Sequence, residues 1–64
     1  MATPKRNRLT AEIAAYIKWL LQTTTLFQHE IAAAVGLNQG RVSEVKRGKR
    51  FPNVPPSDHF SGFA

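Results

Sequence analysis

Apolar side chains at Leu9, Ile13, Tyr16, Ile17 and Leu20, followed by Thr24, recur at three- and four-residue spacing. That period predicts a helix from about Thr10 to Gln22, with these residues along one face. Thr10 stands where an N-cap belongs, and Glu12 falls in the first turn, where the helix dipole favours a carboxylate. Ala15, Lys18 and Gln22 fall on the opposite side. Trp19 lies roughly 120° from the centre of the apolar face, at about 100° per residue, so its ring is expected to be partly exposed. Thr23-Thr24-Thr25 is poor helix and marks the connection. A second helix is predicted from about Gln28 to Val35, with Phe27 entering the core just before it. A third is predicted from about Gln39 to Arg47, with Gly48 at its C-terminal end. Between the last two, Gly36 permits the positive φ of a sharp turn, and Asn38 can cap the helix that follows. Small Ala32 lets the helices approach closely. The expected core is Leu9, Ile13, Ile17, Leu20, Phe27, Ile31, Val35, Leu37, Val42 and Val45.

Beyond Phe51-Pro52 the pattern stops. Asn53-Val54-Pro55-Pro56-Ser57-Asp58 cannot continue a helix, and no alternation suggests a strand. The fold class expected is therefore all-α: a three-helix domain over 9–51, a flexible basic arm over 1–8, and an irregular Pro- and Phe-containing tail over 52–64. Three of the four phenylalanines, Phe51, Phe60 and Phe63, sit in or beside that tail. Either these aromatics cover Trp19 and helix 1, in the same chain or in a partner chain, or the tail is loose and they are incidental.

Composition narrows the class. At 64 residues there is room for one modest core, in the range where single-core stability is marginal. There is no cysteine, so no disulfide or thiolate metal site is available. His29 and His59 lack metal-ligand spacing, and neither metal nor cofactor is expected. The four acidic residues, Glu12, Glu30, Glu44 and Asp58, form no paired-carboxylate or nucleophile arrangement, so no enzyme is expected. The longest apolar stretch, Ile13 to Leu21, is broken by Lys18 and too short to span a bilayer. A cytoplasmic, nucleoid-associated protein without a membrane partner is the expectation.

Net charge is +5, and its layout says more than its sum. Eight of the nine Lys and Arg residues fall in two clusters, Lys5-Arg6-Arg8 and Arg41 to Arg50, and the last fourteen residues carry none. Positive charge gathered on an arm and on one helix is the footprint of a polyanion partner.

Residues Gln28 to Arg47 resemble the helix-turn-helix of bacterial and phage transcription regulators. In that family a small residue sits fifth and glycine ninth. Branched apolar residues sit fourth, eighth, tenth, fifteenth and eighteenth. Counted from Gln28, this chain has Ile31, Ala32, Val35, Gly36, Leu37, Val42 and Val45 at those places, and all seven match. Lys46-Arg47-Gly48-Lys49-Arg50 is similar to the basic close of phage-repressor-like domains. The arm and three-helix layout are similar to homeodomains and serine-recombinase DNA-binding domains, and no helix beyond the third is foreseen.

The resemblance implies sequence-specific binding of double-stranded DNA by a repressor-like transcriptional regulator, with helix 3 in the major groove. The base-facing roles fall on Asn38, Gln39, Gly40, Ser43, Glu44 and Arg47. Gln39 can pair bidentately with adenine, and Arg41 can reach guanine or a phosphate. Glu44 could accept from a cytosine amino group, or pair with Arg41 or Arg47 on its own helix. Gln28 resembles the family glutamine that anchors to a phosphate, with Thr25 and the first amides of helix 2 beside it. Lys46, Lys49 and Arg50 suit phosphates, and His29 suits solvent. Gly40 costs about 1 kcal/mol inside a helix, which fits either a close approach to DNA or tight packing against helix 2. Arg6 and Arg8 fit a minor-groove arm or a merely solubilising one. Specific sites usually need two modules about 34 Å apart, so a homodimer or side-by-side copies are expected, with Trp19 and the tail as contacts. Rival readings are a protein-interaction module of antitoxin or anti-repressor type, an RNA binder lacking the usual stacking aromatics in its basic segments, and a sequence-neutral nucleoid protein.

Overall fold

The computed structural model describes residues 8–60. Three helices and no strand lie among them: α1 over Ala11–Thr23, α2 over Gln28–Val35 and α3 over Gln39–Lys46. None of these helices is long and apolar enough to cross a membrane. Arg6 and Phe63 lie outside the described residues.

Local chemistry sets each boundary. Thr10 is extended, and its hydroxyl oxygen accepts from the Ile13 amide at 3.3 Å, satisfying one free N–H of the first turn. At the other end, the Thr23 and Thr24 hydroxyls donate to the Trp19 and Leu20 carbonyls at 2.7 and 2.6 Å. Threonine side chains thus close α1 by binding its last carbonyls. α2 stops at Gly36, in the left-handed region at φ 73, and the Leu37 amide reaches back to the Ala32 carbonyl at 3.0 Å. Asn38 caps α3, its side-chain oxygen accepting from the Arg41 amide at 3.1 Å. α3 ends at Lys46, one residue earlier than expected, with Arg47 as its cap. Gly48 at φ 75 then lets the Lys49 amide close on the Glu44 carbonyl at 2.9 Å.

The core joins Ile13, Ala14, Ile17 and Leu20 of α1, Ile31, Ala32 and Val35 of α2, and Val42 and Val45 of α3. Ile17, Ile31, Val35, Val42 and Val45 are fully enclosed, each worth about 1.5–3 kcal/mol of burial. Leu9 and Leu37 pack against this core only partly buried. Phe27 departs from expectation: it is 69% exposed rather than inside. As the N-cap of α2 it has extended backbone, φ −74 and ψ 161, so its side chain leaves the helical register of Ile31 and Val35.

The segment after α3 also differs from a loose tail. It retraces α1 toward that helix's N-terminus and covers the side expected to face solvent. Lys18 donates to the Phe51 and Val54 carbonyls at 2.6 and 2.7 Å, and the Ser57 amide donates to the Ala15 carbonyl at 3.1 Å. Ala15 is buried as a result. Phe60 is buried against Tyr16 with ring centroids 5.1 Å apart, and Tyr16 stacks on half-buried Trp19 at 5.7 Å. Pro52, Pro55 and Pro56 have no N–H to satisfy, so an extended strap can lie on a helix without a ladder of its own. Phe51 sits at φ 50, a left-handed conformation costing a branched or bulky residue about 1–2 kcal/mol. The Lys18 ammonium on its carbonyl holds it there.

Candidate nucleic-acid interface

α3 has three sides, read at about 100° per residue. Val42 and Val45 form the buried one. Gly40, Ser43, Glu44 and Arg47 project away from them. Gln39 and Lys46 share one flank, and Arg41 takes the other. Gln39, Gly40, Lys46 and Arg47 are exposed, whereas Arg41, Ser43 and Glu44 are half-buried.

On the first flank, Gln39 and Lys46 of α3 face Gln28 and His29 of α2 across an open groove of about 530 Å³, with Leu21, Leu26 and Phe27 completing its walls. The structure thereby brings together Gln28, Gln39 and Lys46, which sequence reasoning had placed on the binding surface for separate reasons. It also adds Leu26, Phe27 and His29, which that reasoning had not. Leu26 is 39% exposed, and the Phe27 and His29 rings stack at 5.8 Å and 15°. For Phe27 a sequence signal could have found it: a residue just before a helix takes extended backbone, so its apolar side chain need not point inward.

On the second flank, Arg41 donates to the Glu44 carboxylate at 2.8 Å, and the Arg50 Nε lies 3.4 Å from the same oxygen. Of the partners foreseen for Glu44, Arg41 is found, while Arg50 stands where Arg47 was expected. The reversal at Gly48 carries Arg50 back over the last turn of α3, which spacing along a continuous helix does not anticipate. The hydrogen bond from Arg41 holds the Glu44 carboxyl below its ordinary value, with the charges of Arg41, Arg50 and Lys49 acting the same way against some desolvation. A lowered folded-state value means the pairs persist at neutral pH and dissolve only as pH falls below the ordinary carboxylate range.

Asn38 is exposed and its oxygen is engaged in capping, which leaves its amide nitrogen to face outward. A Cβ on Gly40 would meet only the Asn38 side-chain oxygen, at 3.2 Å, and nothing of α2 within 4 Å. Tight packing against α2 is therefore not why glycine stands there. Lys49 and Arg50 are exposed beyond α3, Arg8 is exposed just before α1, and Thr25 is exposed in the α1–α2 connection. Comparisons with protein families, with curated proteins and with solved structures find no match.

Proposed function

We propose that this chain binds double-stranded DNA sequence-specifically, as a transcriptional regulator of the repressor-like helix-turn-helix type. The observation that carries the reading is the outward side of α3. Exposed Gly40 and Arg47 and half-buried Ser43 and Glu44 share it, Gln39 and Lys46 stand on one flank, and Arg41 stands on the other. A short helix bearing amide and cationic groups on every side except a two-valine seam suits the major groove, where such groups read base edges. Gln39 suits adenine and Arg47 suits guanine. Gln28, Lys46, Lys49 and Arg50 suit phosphates, which add affinity without sequence information. Arg6 and Arg8 suit the minor groove or the flanking backbone.

The clamp of Glu44 on Arg41 and Arg50 bears on mechanism. Two arginines whose charge is partly met by a carboxylate attract an arbitrary phosphate less, so the unpaired state must be regained by a contact good enough to replace the pair. That favours discrimination over bulk affinity. A second reading draws on exposed Leu26 and Phe27, which also suit a protein partner of antitoxin or anti-repressor type.

The test is selection from random duplexes, followed by anisotropy titrations of the recovered sequences at two salt concentrations. A site bound on the order of a thousandfold tighter than random DNA is expected. Gln39→Ala should then cost roughly 1–3 kcal/mol of discrimination, whereas Lys49→Ala should weaken all duplexes alike. Equal, salt-steep binding to every sequence would identify a nucleoid-type protein instead. No binding at all would favour the protein partner.

A further inference from the structure

We propose that Phe27, with Leu26 beside it, packs against a thymine 5-methyl group, which makes it a specificity-determining residue for a T·A pair; the proposal rests on the duplex-DNA reading above. Leu26 and Phe27 are the large hydrophobic side chains left exposed among the described residues. They border the groove whose other rim holds Gln39 and Lys46.

Phenylalanine is a poor choice for this position on helix grounds alone. An N-cap Ser, Thr, Asp or Asn would accept from a free amide of the first turn, and a phenyl ring cannot. The chain compensates through Glu30, whose carboxylate accepts from the Phe27 amide at 2.7 Å. That contact fixes the backbone at the cap, and the stack on His29 fixes the plane of the ring. The result is an outward-facing apolar plate that is already ordered, so little freedom is lost when it meets a partner.

The groove's lining defines what can occupy it. The occupant must present an apolar surface to Phe27 and Leu26 and a hydrogen-bonding edge to Gln28 and Gln39. It must also bring negative charge to Lys46. The major groove of duplex DNA offers these together: the thymine methyl is the apolar group on its base edges, it adjoins the N6 and N7 of the paired adenine, and phosphates line its rim. Gln39 on the adenine and Phe27 on the methyl would then read the two strands of one region from opposite sides of the same groove.

The experiment uses the full chain and the tightest duplex recovered from the random pool. Each thymine is replaced in turn by uracil, which removes the methyl and nothing else. At a contacted position affinity should fall about fourfold, the loss expected for one buried methyl. Phe27→Ala should lose a similar factor on the thymine duplex and then become indifferent to uracil at that position, while Phe27→Leu should keep part of the response. Since Phe27 lies outside the core, far-UV circular dichroism of the variants should match the parent. If no thymine responds, or if Phe27→Ala responds as strongly as the parent, the methyl contact is wrong and the duplex reading stands. Tighter binding to single-stranded oligothymidylate than to any duplex would make the ring a base-stacking platform and overturn the proposal. If no duplex is bound more tightly than random DNA, both readings fall together.

Discussion

Lys18 and Lys46 both border a shallow depression beside Val45 and Pro52, yet their ammonium groups are held in different ways. Lys18 is half-buried, its ammonium held by two carbonyls of the C-terminal strap at 2.6 and 2.7 Å. Lys46 is exposed on the rim of an open groove. The contrast extends to the regions around them. On the α1 side, backbone carbonyls, aromatic rings and a lone lysine satisfy one another within the chain. On the α2–α3 side, amides, guanidinium groups and an aromatic ring face outward. A domain of 64 residues has little stability to spare, so polar groups left facing outward on one side require compensation on the other. The strap supplies it, extending a marginal three-helix core with a buried phenylalanine and a partly buried ion–carbonyl contact. One side accounts for folding and the other is left for recognition.

The largest test of that division is at the strap. Phe60→Ala removes a buried ring from the Tyr16 stack at the edge of the core and should cost about 3 kcal/mol, the lower end for a buried phenylalanine. In a domain of this size that is a fall of about 10–20 °C in Tm. Affinity of the folded protein for its selected duplex should not change, since Phe60 packs on α1. A stable, fully folded Phe60→Ala protein would mean the strap is not structural, and the contrast between the two sides would collapse.

Comparing the two lysines directly gives a smaller effect of opposite kind at each site. Lys18→Met should lower stability by about 1–2 kcal/mol through loss of two charge-assisted hydrogen bonds, with the left-handed Phe51 no longer held. Its salt dependence of DNA binding should match the parent. Lys46→Ala should leave Tm unchanged and lower the slope of log affinity against log salt by about one unit. Thermal melts and titrations at several salt concentrations on both variants read out all four quantities. A salt-slope change in Lys18→Met, or none in Lys46→Ala, would move the polyanion away from the groove that Lys46 shares with Gln28 and Gln39.

How much of this was legible in the sequence depends on the range over which each signal acts. Caps and stops are local: Thr10, Asn38, Gly36 and Gly48 each act within five residues, and the helix ends fall at or within one residue of where they point. Phe27 was misplaced because it lies four residues before Ile31, in phase with the buried face, while its backbone is extended and no longer follows helical geometry. That the tail aromatics cover helix 1 within the same chain was one of two alternatives open from the sequence, and Phe60 on Tyr16 bears it out. The path of the strap was illegible for a different reason. Its contacts join residues more than thirty apart, and its prolines erase any period from which packing could be read. Ala15 and Lys18 looked solvent-facing because helical phase describes one face of α1, whereas the chain covers a second. The pairing of Arg50 with Glu44 required knowing that the chain reverses at Gly48. The outward side of α3 was legible because a helix wheel needs only its own residues.

The smallest effect on stability carries the finest distinction, and it sits at Gly40. Replacing a helical glycine by alanine ordinarily stabilises by about 1 kcal/mol. Here the new Cβ would lie 3.2 Å from the Asn38 oxygen that caps the helix, and a cap of this kind is worth about 1 kcal/mol. To make room, that oxygen must retreat by a few tenths of an ångström from its 3.1 Å bond to the Arg41 amide, which weakens the cap. The two terms should then nearly cancel, and Gly40→Ala should change stability by less than about 0.5 kcal/mol. Apart from its chain neighbours and the backbone of α3 itself, no other atom of the described residues lies within 4 Å of the position, so a larger effect on binding must come from a partner. Close approach of the α3 backbone to base edges would turn the methyl into a steric obstacle, and affinity for the selected duplex should then fall on the order of tenfold or more, with stability unchanged. Unchanged affinity would rotate the reading surface away from Gly40, toward the Gln39–Lys46 flank and its groove. A loss of stability beyond about 1 kcal/mol would instead show that glycine is kept there to leave the Asn38 cap undisturbed.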